Sequence, residues 1–298
     1  MGKALAEAFP QARAVFAEVD SALAQPLSKL IFEGPEAELT LTANAQPALM
    51  AVSLAALRAL EAEAGLDLAR DAKFVAGHSL GEYSALAAAG ALAISDTAKL
   101  LRLRGDAMQK AVPVGQGAMA ALLGADLDQA RAIAAEAAAQ GGVCQVANDN
   151  GGGQVVVSGA KAAVEKAIDL AKDKGIKRAV LLPVSAPFHC ALMQPAADAM
   201  RAALADAKIL APRVPVVANV TASPVSDPED IRRLLVEQVT GAVRLRECVA
   251  FIAGQGVDKF VECGAGKVLA GLLKRIAPGA SAVSVGTPAD LDAYRAFV

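Results

Sequence analysis

The chain has 298 residues, a formal net charge of −2, 55% hydrophobic residues, 3% aromatics and no tryptophan. This is long enough for one large domain or a domain with an inserted lobe, and the near-neutral charge argues against a dedicated nucleic-acid binder. Cys144, Cys190, Cys248 and Cys263 form no C-x-x-C pair, and with two histidines there is no zinc-like ligand set; the cysteines read as small apolar residues in a reducing compartment.

In chain order, residues 4–20 read as an amphipathic helix, and Lys3, Glu7, Arg13, Glu18 and Asp20 break any signal-peptide apolar run. The longest uncharged stretch, residues 39–57, contains Thr40, Thr42, Asn44, Gln46 and Ser53, too polar for a bilayer span. A cytoplasmic protein with no membrane contact is expected. A long helix follows over 46–65, with Pro47 in its first turn, then a short strand at 73–76. Ala-rich 80–91 reads as a buried helix, and 97–112 as another, ended by Pro113. From 115 the order becomes strand 118–123, helix 127–140, strands 143–147 and 154–158, helix 160–174 and strand 178–183. That is βαββαβ, the ferredoxin-like split motif. Helix 194–207, strand 214–220, helices 227–240 and 247–255 and strand 259–263 complete the alternation of an α/β fold with a parallel sheet. The predicted division is a core of residues 1–114 and 185–298 with a small subdomain at 115–184.

Gly77-His78-Ser79-Leu80-Gly81 matches G-x-S-x-G between a predicted strand and a predicted helix. On such a strand–turn–helix elbow the serine hydroxyl stands above the sheet, and the backbone N–H of Leu80 at the helix start can stabilise an oxyanion. A serine needs a base at neutral pH. His78 is adjacent to Ser79 and should diverge from the hydroxyl, which leaves His189, in Ser185-Ala186-Pro187-Phe188-His189-Cys190. Much of the chain follows this histidine and no H-G-G-G motif occurs, unlike an ordinary α/β-hydrolase. Spacing does not choose the third member, which is a carboxylate, an amide or a backbone carbonyl. Arg104, taken alone, reads as a helix arginine paired with Asp106 or Asp96.

Five segments, in order, resemble the malonyl-CoA:acyl carrier protein transacylase family. They are Gln46-Pro47-Ala48-Leu49, Gly77-His78-Ser79-Leu80-Gly81-Glu82-Tyr83-Ser84, Arg104-Gly105-Asp106-Ala107-Met108-Gln109, Ala186-Pro187-Phe188-His189 and Glu262-Cys263-Gly264-Ala265-Gly266-Lys267-Val268-Leu269. The resemblance implies an α/β-hydrolase-like core and ping-pong malonyl transfer from a coenzyme A thioester to acyl carrier protein, with no cofactor or metal and a monomeric enzyme. It implies Ser79 as nucleophile, His189 as base and then acid, and the backbone carbonyl of Gln238 as the histidine's support. Arg104 would clamp the malonyl carboxylate through both oxygens, as a lysine cannot. Gln46 and His78 would line the pocket, and Phe188 would limit its width, although core packing explains Phe188 nearly as well.

The family's opening Gly-Gln-Gly-Ser-Gln segment, which carries a strand and a second oxyanion donor, has no counterpart before Met1-Gly2-Lys3-Ala4-Leu5. The expectation is a shortened form of reduced turnover. Ala265, Leu245 and Gly152 replace the family's usual Pro, Trp and Pro. Rival readings are a serine esterase or thioesterase, which needs no Arg104, a discrete acyltransferase of a polyketide synthase, and an impaired carrier-binding module. An acidic carrier calls for a basic dock, and Lys172, Lys174, Lys177 and Arg178, or Lys267, Lys274 and Arg275, are the candidates.

Overall fold

The computed structural model describes residues 1–298. Pro10 divides the first predicted helix in two, Lys3–Ala8 and Pro10–Leu23. A proline lacks the N–H that a continuous helix needs and drives the preceding residue to extended backbone, here Phe9 at φ −126°, ψ 119°. Helix Thr42–Ala64 starts a turn earlier than the 46–65 expected, so Pro47 lies inside it. Thirteen of its 23 residues are buried, so it runs through the core rather than along the surface. Helix Ile94–Ala111 packs across its N-terminal half, where Gly105 permits the approach. A Cβ on Gly105 would lie 2.6 Å from Ala43 Cα.

The strands of the larger part are short. Strand β1 (Val75–Ala76) ends at the serine motif, and helix Leu80–Ala88 follows directly. Strands β2 (Gly117–Leu123), β3 (Cys144–Asp149), β4 (Gln154–Ala160) and β5 (Arg178–Leu181) form an antiparallel sheet in the order β3-β4-β2-β5. Helices Leu127–Gly141 and Lys161–Asp173 complete the βαββαβ order. They pack on the sheet around a separate apolar cluster that includes Leu122, Ile133, Val157 and Val164.

Strand β6 (Val216–Val217) pairs parallel with β1 and antiparallel with β7 (Pro224–Val225). The strand expected over 214–220 is cut to two residues because the chain turns back, Ala222 N–H donating to Ala218 O. Strand β8 (Lys259–Cys263) pairs parallel with β9 (Ser281–Val285). The parallel sheet is thus two small patches rather than the single sheet expected. Strand β9 and helices Val268–Ile276 and Asp290–Phe297 were not anticipated from the sequence.

The four-stranded unit is fastened to the rest by a β-bridge between Asn148 and Val243 and by Arg246 Nε donating to Asp149 Oδ2 at 2.8 Å. No helix is long and apolar enough to cross a membrane, and no cluster of His, Cys, Asp and Glu could hold a metal ion.

Candidate active site

Ser79 is the residue before helix Leu80–Ala88, and its backbone is held at φ 54°, ψ −109°. Positive φ is strained for a side-chain-bearing residue and persists only where neighbours impose it. Here Ser79 N–H donates to Asn219 Oδ1 at 2.8 Å, and Ser79 O accepts from Gln238 Nε2 at 3.0 Å. Asn219 Nδ2 also donates to Gly77 O at 2.7 Å, so one asparagine grips both sides of the turn. Of the two motif glycines, only Gly77 is demanded by crowding: a Cβ there would meet the Gly81 carbonyl at 2.0 Å. A Cβ on Gly81 would touch nothing. Leu80 N–H has no acceptor within the chain, as befits the first helical residue, and is free for an oxyanion.

His189 comes from the loop after β5, itself at φ 59°, and its Nε2 lies 2.8 Å from Ser79 Oγ. Its Nδ1 faces two main-chain oxygens, Gln238 O at 2.9 Å and Gly241 O at 3.1 Å. Carbonyls only accept, so Nδ1 carries the proton and Nε2 is the free lone pair facing the serine. The tautomer required of a general base follows from the partners alone. Helix Pro228–Thr240 supplies the first of these oxygens because it ends there. Asp227 caps its start, and Gly241, at ψ 154°, stops it, leaving the Gln238 carbonyl without a helical partner. The negative end of the helix dipole therefore faces Nδ1, where a Ser-His-Asp arrangement would have a carboxylate. Burial pushes the His189 imidazole down to about 3, with Arg104 acting in the same direction and the Gln238 carbonyl against it. The imidazole is unprotonated at neutral pH.

Arg104 is 1% exposed and pairs with neither Asp106 nor Asp96, which corrects the surface ion pair that its neighbours suggest. Its Nη1 donates to Gln46 Oε1 at 2.7 Å, and its Nη2 donates to Gln238 Oε1 at 2.8 Å and to Ser79 Oγ at 3.0 Å. The guanidinium also sits 5.7 Å from the Tyr83 ring centroid. Its Nε is buried and unpaired. Burial holds its pKa below the usual value, yet it remains a cation ringed by neutral acceptors, beside the nucleophile, without a direct anionic partner.

A family model described as an acyl transferase domain matches residues 1–290. The chain belongs to the acyl transferase family. It is 44% identical over 292 residues to the malonyl CoA-acyl carrier protein transacylase of Bacillus subtilis (strain 168), spanning 98% of this chain and 90% of that one. The crystal structure of an acyl-carrier-protein-S-malonyltransferase from Bartonella henselae superposes with a TM-score of 0.96 at 58% identity, covering 99% of this chain and 93% of that one. A malonyl-transacylase solved in complex with its type II PKS (polyketide synthase) acyl-carrier protein gives 0.94 at 43% identity, over 98% and 93% of the two chains.

Within this acyltransferase, Gln46 is buried against Arg104, Thr42 and Met108. His78 turns away from the serine and contacts Asn150 Oδ1 at 3.0 Å, with loss of solvent lowering its pKa. Phe188 packs against both the main core and the Met119, Ala121, Ala147 and Val156 cluster, so it wedges the histidine loop between the two parts of the molecule. Sequence reasoning missed Asn219, Asn150, the Gly241 carbonyl, and the side chains of Gln238 and Glu82. Only Glu82 carried a signal, an acid in an otherwise apolar first turn, at i+3 from the nucleophile.

Proposed function

We propose that the chain transfers a malonyl group from malonyl-CoA, through an ester on Ser79, to the phosphopantetheine thiol of an acyl carrier protein, supplying fatty acid synthesis. The supporting observation is the position of Arg104: a buried guanidinium 3.0 Å from the nucleophilic oxygen, satisfied only by neutral groups. A substrate whose acyl group ends in a carboxylate supplies the direct anionic partner that the guanidinium lacks. Neutral acyl groups leave it hydrogen-bonded to neutral groups only.

In the first half-reaction His189 Nε2 takes the Ser79 proton as Oγ attacks the thioester carbonyl, and Leu80 N–H donates to the oxyanion. The C–S bond breaks, the imidazolium returns the proton to the departing coenzyme A sulfur, and malonyl-Ser79 remains. The carrier thiol then repeats these steps in reverse order. Gln238 and Gly241 hold the imidazole through their carbonyls, Gln46 and Gln238 aim the guanidinium, and Phe188 limits the pocket. The cycle draws on side chains and main chain alone, with no cofactor. The same reading places a monomer in the cytoplasm, divided into a core of residues 1–114 and 185–298 and a subdomain of residues 115–184.

Incubation with malonyl-, methylmalonyl- and acetyl-CoA, followed by mass spectrometry, tests the proposal, which requires a malonyl adduct on Ser79. Charge-assisted hydrogen bonds are worth about 1.5–3 kcal/mol each, so R104A should lower kcat/KM for malonyl-CoA by roughly 10²-fold or more and spare acetyl-CoA. Equal losses on both substrates would refute the clamp. The similar malonyl-transacylase solved with a type II PKS carrier favours one second reading, in which the acceptor is a polyketide carrier. Comparing acceptor rates for the two carrier types separates them.

A further inference from the structure

Glu82 takes no part in the steps above, yet it is 2% exposed and lies directly under the elbow. Its Oε2 accepts from Gln238 Nε2 at 2.8 Å and from Asn219 N–H at 3.0 Å. These two residues are the ones that hold Ser79 and Arg104. The Gln238 amide spans the gap. Its Nε2 end faces Glu82 and Ser79 O, and its Oε1 end faces Arg104 Nη2. Turning the amide over would set two N–H donors against each other at Arg104 and oxygen against oxygen at both Glu82 and Ser79. Arginine cannot accept a hydrogen bond, so a reversed amide would push the guanidinium off the serine.

Resting on the malonyl-transfer reading above, we infer that Glu82 is a positioning residue: as a buried acceptor it fixes which end of the Gln238 amide meets Arg104, and so places the guanidinium where the acyl carboxylate binds. Glu82 makes no hydrogen bond of its own to Ser79 Oγ or Arg104; it reaches the guanidinium through Gln238, while its bond from Asn219 N–H leads to the serine turn rather than to Arg104. Burial lifts its carboxyl to about 7, and a carboxyl group accepts through Oε2 in either protonation state. The function is therefore carried by the acceptor atom rather than by the charge.

The experiment compares KM and kcat for malonyl-CoA in the parent chain and in E82M, E82Q, Q238M, E82M/Q238M and R104A, with acetyl-CoA as the neutral control and melting curves to verify folding. A Gln at position 82 can present its carboxamide oxygen to both donors; a Met cannot. E82M is expected to raise KM for malonyl-CoA about tenfold while changing acetyl-CoA little, and E82Q to bring it back to within about threefold of the parent. On the Q238M background E82M should add nothing, because the path it uses is already gone. Three results overturn the inference: an E82M KM equal to the parent's, an E82Q as impaired as E82M, or a full additional E82M effect on Q238M. R104A keeps the two levels apart. If R104A loses malonyl-CoA and E82M does not, the Glu82 role alone falls; if R104A is also unaffected, the carboxylate clamp falls with it. Should E82M not fold, E82D, whose shorter carboxylate cannot reach both donors, takes its place with the same expected outcomes.

Discussion

An imidazole whose Nδ1 proton is held by two carbonyls and whose Nε2 faces a serine already has the form that the proposed transfer asks of its base, and burial keeps it so. Because its pKa is pushed down to about 3, His189 stays neutral through mild acid. The pH profile of kcat/KM for Ser79 acylation, which reports the free enzyme, should show no fall near 6.5 as pH drops from 8 to about 5. A descending limb near 6.5 would mean that the imidazole is solvated. That Ser79 and His189 meet was readable from the sequence: the first sits in a patterned turn, the second was the remaining candidate of two histidines. Arg104 was readable only through resemblance, although a further signal was present. Thr97, Leu101, Arg104 and Met108 recur at helical spacing on one buried face, so the arginine occupies a core position. The carbonyl of Gln238 was named only through resemblance and that of Gly241 not at all, because every residue has a main-chain oxygen and no residue pattern marks these two; nor does any pattern mark the bonds of the Gln238 side chain. Asn219 lies between Ala218 and Val220 with nothing local to single it out.

At the scale of elements, the serine turn depends on one glycine far more than on the other. G77A places a Cβ where the Gly81 carbonyl already is. The turn must open, and a shift of about 1 Å at the nucleophile costs roughly 10²-fold in acylation. G81A meets open space in a helix and should raise stability by about 0.5–1 kcal/mol. Denaturant melts paired with adduct formation distinguish the two, and similar behaviour of both variants would contradict this account. Elements with strong local patterns were legible, β8 to the residue and helices 127–140 and 194–207 to within one. The two-residue strands β1 and β6 were overestimated, β1 by two residues at its start and β6 because a Val-rich run continues in sequence after the chain has turned. The β9 strand was missed because Ser281 and Ser284 dilute its apolar content. Its pairing with β8 is set by tertiary contact rather than by propensity.

Across the whole molecule, two buried groups respond to pH in opposite directions. His189, lowered from 6.5 to about 3, contributes stability that is present above 6.5 and lost as pH falls toward 3. Glu82, raised from 4.5 to about 7, contributes stability that is complete below 4.5 and lost as pH rises toward 7. E82Q removes only the second term. Its Tm relative to the parent should climb between pH 4.5 and 7 and then level off, and a difference independent of pH would show that Glu82 does not titrate in that window. The support of His189 has a further consequence. Gly241 stands two residues from Val243, which is bridged to β3 of the four-stranded unit. The oxygens that orient the imidazole are therefore properties of chain path, out of reach of any protonation event and disturbed by side-chain exchange only where it moves the main chain, as a Cβ on Gly241 placed 2.9 Å from Glu237 O would. A hydrolase with an aspartate in that place can be switched off while still folded; here the imidazole keeps its bearing for as long as helix end and sheet keep their register, so heat, and acid down to the pH of about 3 at which the imidazole itself takes a proton, should abolish transfer only where they unravel the protein itself.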